Sequence, residues 1–142
     1  MVTVNWLEGQ AFEAEPPTGS KFVMDAYPED GKKSRGPTPV EALLASIGAC
    51  SAIDVLSILQ KKRQTVTAYR VEVDGERTPE GEYPRPFKSL VIRHIVSGEN
   101  LDPAAVERAV ELSDQKYCSV IATLRAAPSV TSEFVIEDAV GV

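Results

Sequence analysis

GPTPVEALLASIGACSAIDVLSIL, residues 36–59, decides how the rest of the chain is read. The only formal charges in this stretch are Glu41 and Asp54. A helix that is apolar on nearly every side has to be covered on nearly every side. Thr38 stands as N-cap, Pro39 takes the first helical position, and Glu41 follows three residues after Thr38 in the pattern of a capping box. The pattern predicts a helix to about Lys62, where Lys61, Lys62 and Arg63 supply the cations that a helix C-terminus favours. Cys50 lies at its middle. At about 100° per residue it shares a face with Leu43, Ser46, Ile47, Asp54 and Ser57.

Working outward, residues 1–6, 11–15 and 21–26 are short strand-like runs. Turns at Glu8-Gly9-Gln10 and Thr18-Gly19-Ser20 separate them, which predicts an antiparallel meander. Residues 27–36 are a polar loop rich in turn-formers. Beyond the helix, residues 65–74 and 87–96 alternate and predict a long hairpin across a Pro- and Gly-rich loop. Asp102 and Pro103 open a second helix, whose pattern breaks near residues 114–117. Residues 118–127 form a separate helical piece, and residues 129–136 alternate as a closing strand. The order is β-β-β-α-β-β-α-α-β, an α+β chain read as one domain over residues 1–142.

Composition narrows the function. Hydrophobic content of 43% and charged content of 25% are those of a globular protein. The net charge of −6 speaks against nucleic acid as a partner, since that affinity comes from Lys and Arg on phosphates. Residues 40–59 are long enough to span a membrane, but an Asp at the centre costs about 2.5–3.5 kcal/mol on insertion scales. The expectation is therefore no membrane. Residues 1–20 lack the basic start and apolar run of a signal peptide, so the expected compartment is the cytoplasm. Two cysteines and one histidine are too few for a structural zinc site, so no metal is expected.

Two readings of the cysteines stay open on pattern alone. Free Cys is commonly a small buried hydrophobe. Alternatively Cys50, with an apolar approach on one side, and Cys118, at a helix start that favours thiolate, are a redox couple. Asp54 opposes activation if both groups are charged. His94 reads as an exposed strand residue, Trp6 and Tyr69 as core or interface, and Glu111 and Asp114 as a solvated helix face.

GPTPVEALLASIGAC at 36–50, followed by KYCSV at 116–120, resembles the OsmC/Ohr family of thiol-dependent organic hydroperoxide reductases. The separation of 68 positions from Cys50 to Cys118 fits its spacing, and the element order fits its fold. The resemblance implies an intertwined homodimer, with antiparallel sheets wrapped around long central helices. It implies Cys50 as the peroxidatic and Cys118 as the resolving cysteine, a small-molecule organic hydroperoxide as substrate, no cofactor, and an external dithiol reductant of lipoyl type. The family activates its thiolate with an Arg and a Glu. The counterparts here are Arg35, beside the helix, and Glu41, nine residues before Cys50 at an acidic position of one branch; the position ten before, where another branch carries its Glu, is Val40 here. Ser119 stands where Pro is frequent, and Asp54 is unusual for the family's peroxidases. These departures suggest a divergent branch. They keep an alternative in view, a non-catalytic relative that binds a small apolar ligand at the dimer interface.

Overall fold

The computed structural model describes residues 1–137 and shows a mixed α+β architecture with two antiparallel sheets. Strands β1 (Thr3–Glu8), β2 (Ala11–Glu15) and β3 (Phe22–Met24) form the first sheet in chain order. Strands β4 (Thr65–Arg77) and β5 (Phe87–Glu99) form the second, a hairpin longer at both strand ends than the alternation alone marks out. Helices α1 (Pro39–Lys61), α2 (Pro103–Leu112) and α3 (Ser119–Ala126) complete the chain. A π-helical turn at Ser113–Tyr117 joins α2 to α3, where the helical pattern breaks in the sequence.

Helix α1 starts and stops as its end residues dictate. The Thr38 hydroxyl accepts from the Glu41 backbone N–H at 3.2 Å, and the Glu41 carboxylate accepts from the Thr38 N–H at 3.2 Å. The reciprocal bonds satisfy two otherwise orphaned donors. At the other end Arg63 takes the left-handed conformation, φ 57°. Its N–H reaches the Gln60 carbonyl and the Gln64 N–H reaches back to Leu59, both at 3.0 Å. That is a Schellman motif built on an arginine where glycine is the usual residue.

The core is assembled on α1. Its first half carries Ile47, fully buried against Cys118 and Ile121, with Leu44, Val73, Leu90 and Ile92 around them. Its second half carries Val55 and Leu59, fully buried with Ala109 among Val66, Val96 and Val106. Each such side chain contributes about 1.5–3 kcal/mol of transfer free energy. Gly48 lets β4 come close, since a Cβ there would stand 3.1 Å from Val73 Cγ2. By length and composition α1 also qualifies as a membrane span, yet in the fold it is the pillar of both clusters.

One expectation is corrected and one is narrowed. Residues 129–136 form no strand, because their alternating apolar groups meet no partner strand among the described residues. Val130, Phe134, Val135 and Ile136 are all more than four-fifths exposed. Of the two places read for Trp6, core or interface, the core of the single chain is excluded: it is 67% exposed on β1, its indole N–H donating to the Gly9 carbonyl at 3.1 Å.

The ends of α1 give a stability prediction. Arg63→Gly removes the cost of a left-handed non-glycine residue and should raise unfolding free energy by about 1 kcal/mol. Thr38→Ala should lower it by about 1 kcal/mol. Urea denaturation measures both.

Candidate active site

Three pieces of chain meet at the middle of α1. Packing of Ile47 on Ile121 holds α3 against the helix. The π turn sets the entry to α3: the Cys118 N–H donates to the Ser113 carbonyl at 2.9 Å. Cys118 itself is extended, φ −72° and ψ 101°, and its carbonyl accepts the Ala122 N–H at 3.0 Å to begin α3. The two sulfurs and a carboxylate oxygen of Asp54 consequently lie within 4.8 Å of one another. Both cysteines are free thiols, Cys50 half-buried and Cys118 buried.

Burial pushes the Cys118 thiol above its ordinary value, and its contact with the Cys50 side chain pushes the same way. Backbone hydrogen bonds from Ile121 and Val120 pull downward and are outweighed. The helix start therefore does not make Cys118 a ready thiolate, because only 2% of the residue is exposed to solvent.

From Asp54 a chain of hydrogen bonds runs inward. The Ser113 hydroxyl reaches Asp54 Oδ2 at 3.3 Å and meets Ser51 Oγ at 3.1 Å. Ser51 Oγ meets His94 Nε2 at 3.3 Å, and His94 Nδ1 meets the Tyr69 hydroxyl at 2.6 Å. The two rings stack with centroids 6.0 Å apart. Burial raises Tyr69 to about 12. Burial also lowers His94, with nearby Asp114 opposing. His94 is thus not the exposed strand residue its sequence neighbourhood suggests. The signal lay in strand periodicity: Ile92 and Val96, two positions either side, pack with Leu90 of the same face of β5 into the core clusters. Asp114 pairs with Arg125 at 2.9 Å, and Glu111 with Arg108 at 3.2 Å.

His94 and Ser51 also line a cavity of about 730 Å³. Leu43, Ile47, Leu90 and Ile121 supply apolar wall, and Arg77, Arg85 and Lys88 lie along it.

The sequence-marked residues separate into two groups. Cys50 and Cys118 come together. Glu41 is engaged in the helix cap, and Arg35 pairs with Glu8 of β1 at 2.7 Å while its backbone N–H donates to Asp25. The donors Cys50, Asp54 and Cys118 are one short of the four that close a structural zinc site. What they form is a thiol pair beside a carboxylate.

A paired-thiol site on a long core helix, flanked by antiparallel sheets, defines the class of protein. The model of the OsmC-like protein family matches residues 30–133. Protein YhfA of Escherichia coli is 43% identical over 131 residues, 92% of this chain and 93% of that one. A hypothetical protein from Aquifex aeolicus is 30% identical, covers 89% of this chain and 87% of its own, and superposes with a TM-score of 0.73. An OsmC-like hydroperoxide resistance protein from a Jannaschia species shares the fold at 17% identity and a TM-score of 0.58, covering 97% of this chain and 93% of its own. The chain belongs to the OsmC-like protein family.

Two outcomes follow from these environments. Iodoacetamide at neutral pH should label Cys50 first, and Cys118 only slowly until the pH is raised; peptide mass spectrometry reads the order. His94 has a depressed pKa, so the unfolded chain binds the extra proton as pH falls below 6.5. Its contribution to stability is present above 6.5 and is lost as pH falls through the folded value. His94→Gln should flatten that part of the curve of unfolding free energy against pH.

Proposed function

We propose that this protein is a thiol-dependent peroxidase that reduces organic hydroperoxides through Cys50 and Cys118. The observation that carries the reading is the approach of the two sulfurs within 4.8 Å, with Cys50 the more accessible. Cys50 as thiolate attacks the terminal peroxide oxygen. The O–O bond breaks, the alkoxide takes a proton and leaves as alcohol, and Cys50 becomes a sulfenic acid. The Cys118 sulfur then displaces hydroxide from Cys50, which forms the disulfide and leaves water after proton transfer. An external dithiol, of lipoyl type on the family resemblance, returns both thiols. The apolar wall formed in part by Ile47 and Ile121, members of the buried cluster that holds Cys118 and against which Cys50 packs, suits an alkyl peroxide better than hydrogen peroxide.

The reading includes a homodimer and a reducing compartment, the cytoplasm. Unfilled apolar surface supports the dimer: only 28% of the most apolar window of α1 is buried, and Ile53 is 70% exposed. β1 is exposed along its whole length. Arg35 and Glu41 enter the reading as activators only if the partner chain or loop movement brings them to Cys50, because within one chain both are engaged elsewhere. The 730 Å³ cavity supports a second reading, a protein that holds a small apolar ligand without turnover.

Mixing reduced protein with cumene hydroperoxide and counting thiols distinguishes the two. The peroxidase loses both thiols per peroxide consumed, and its mass drops by two hydrogens. Cys50→Ser should abolish consumption; Cys118→Ser should allow one turnover and leave Cys50 trappable by dimedone. Unchanged thiols in the native protein would remove the peroxidase reading and leave the ligand-binding one.

A further inference from the structure

Asp54 is drawn into the thiol site without a role in the chemistry so far. We propose that Asp54 is the general base that takes the proton of Cys118 in the resolving step, and that Ser113, Ser51 and His94 are positioning residues that orient its carboxylate at the thiol pair. The proposal rests on the reading of Cys50 and Cys118 as a redox pair.

The chain of bonds has a direction. Tyr69, raised to about 12, keeps its proton and donates to His94 Nδ1 at 2.6 Å. The neutral ring then carries its proton on Nε2, which faces Ser51 Oγ at 3.3 Å. The Ser51 hydroxyl donates to Ser113 Oγ at 3.1 Å, and the Ser113 hydroxyl donates to Asp54 Oδ2 at 3.3 Å. Each donor from Tyr69 onward points toward the Asp54 carboxylate. The Ser113 hydroxyl has a second acceptor, the Ser51 carbonyl at 3.3 Å, so it stays satisfied when Asp54 is protonated and turns away. Other charged groups near the chain are Asp114, paired with Arg125, Glu107, which shares a surface hollow with His94, and Arg77, Arg85 and Lys88, which line the larger cavity with His94 and Ser51. None of these is a hydrogen-bond partner of Asp54, whose side-chain oxygen is held by Ser113.

Cys118 requires such a base because it is buried and held as a thiol. In the resolving step its S–H proton passes to Asp54. Its sulfur attacks Cys50, the S–S bond forms as the S–O bond breaks, and the departing hydroxide takes the Asp54 proton to become water. No proton is gained or lost, and Asp54 ends as it began.

A test without peroxide separates this proposal from the peroxidase reading. One equivalent of 2,2'-dithiodipyridine loads Cys50 as a mixed disulfide and releases one pyridinethione. Attack by Cys118 then releases a second, and the rate of that phase reports the resolving step. Asp54→Asn should slow the second phase roughly 100-fold at neutral pH, the scale of a lost general base. The loss should shrink about tenfold per pH unit as hydroxide replaces the base. His94→Leu should slow the phase several-fold, and His94→Gln, which keeps a donor toward Ser51, should restore it. A second phase in Asp54→Asn at the native rate, or slowed equally at every pH, would overturn the proposal. The first phase tells a folded site from a collapsed one. If Asp54→Asn fails there, the two His94 variants decide, and equal native rates in both would overturn the chain. A native protein that releases only one pyridinethione overturns the redox pair and this proposal with it. Release of two together with inertness to hydroperoxide leaves this proposal standing and removes the peroxidase.

Discussion

The contact of Ile47 with Cys118 and Ile121 is the constraint on which the thiol site depends. It joins the middle of α1 to the first turn of α3, elements 68 residues apart between their cysteines. Because Ile47 is fully buried, its position tolerates little change in volume. Cys50 lies three residues further along α1, nearly one turn, and therefore faces the same neighbour. The distance between the sulfurs is thus set by apolar packing rather than by any bond between the cysteines themselves. The π turn does the complementary work. One turn from Ser113 to Cys118 spaces the buried hydroxyl and the thiol so that both reach α1.

Electrostatics inside this packing is unusual in sign. A thiolate is ordinarily favoured by a neighbouring cation, and here the neighbour is a carboxylate. Arg35 is committed to Glu8 and Arg125 to Asp114. Burial and the adjacent thiol together keep Cys118 protonated. The site is therefore asymmetric, with a half-exposed sulfur that meets solvent first and a buried one that waits as a thiol. That asymmetry suits a division between attacking and resolving roles. It is also what makes a base useful at the buried partner.

Much of this was legible in sequence wherever the signal was local. The Thr38–Glu41 capping box, the Asp102 cap, the break near residue 114 and the hairpin all follow from residues within a few positions of one another. Cys50 and Cys118 stood out through the motifs around them, and the wheel placed Asp54 on the face of Cys50. What escaped was non-local. The bond from Ser51 to His94 spans 43 residues and that from Ser51 to Ser113 spans 62, and serines on an apolar helix carry no pattern that announces a partner. The helix start at Cys118 was visible, but its burial depends on Ile47 and reversed the expected effect. Residues 129–136 alternate as a strand does, but alternation describes a face, and a strand exists only where an edge is available to pair.

That unpaired segment bears on α1 itself. A helix whose apolar character is nearly all-round is stable in water only when nearly all of it is covered. One chain covers the faces bearing Ile47, Val55 and Leu59 and leaves Ile53 open. The same chain leaves Trp6 on β1 and the alternating residues from Val130 to Ile136 without contacts that would bury them. Three unsatisfied apolar elements in one small protein are more than scattered surface residues account for. A membrane would cover them only by taking in Glu41 and Asp54, and Asp54 is already hydrogen-bonded to Ser113 within the core. A second copy of the chain would cover them without that cost, so the proposed dimer is argued from the same all-apolar helix that positions Cys50.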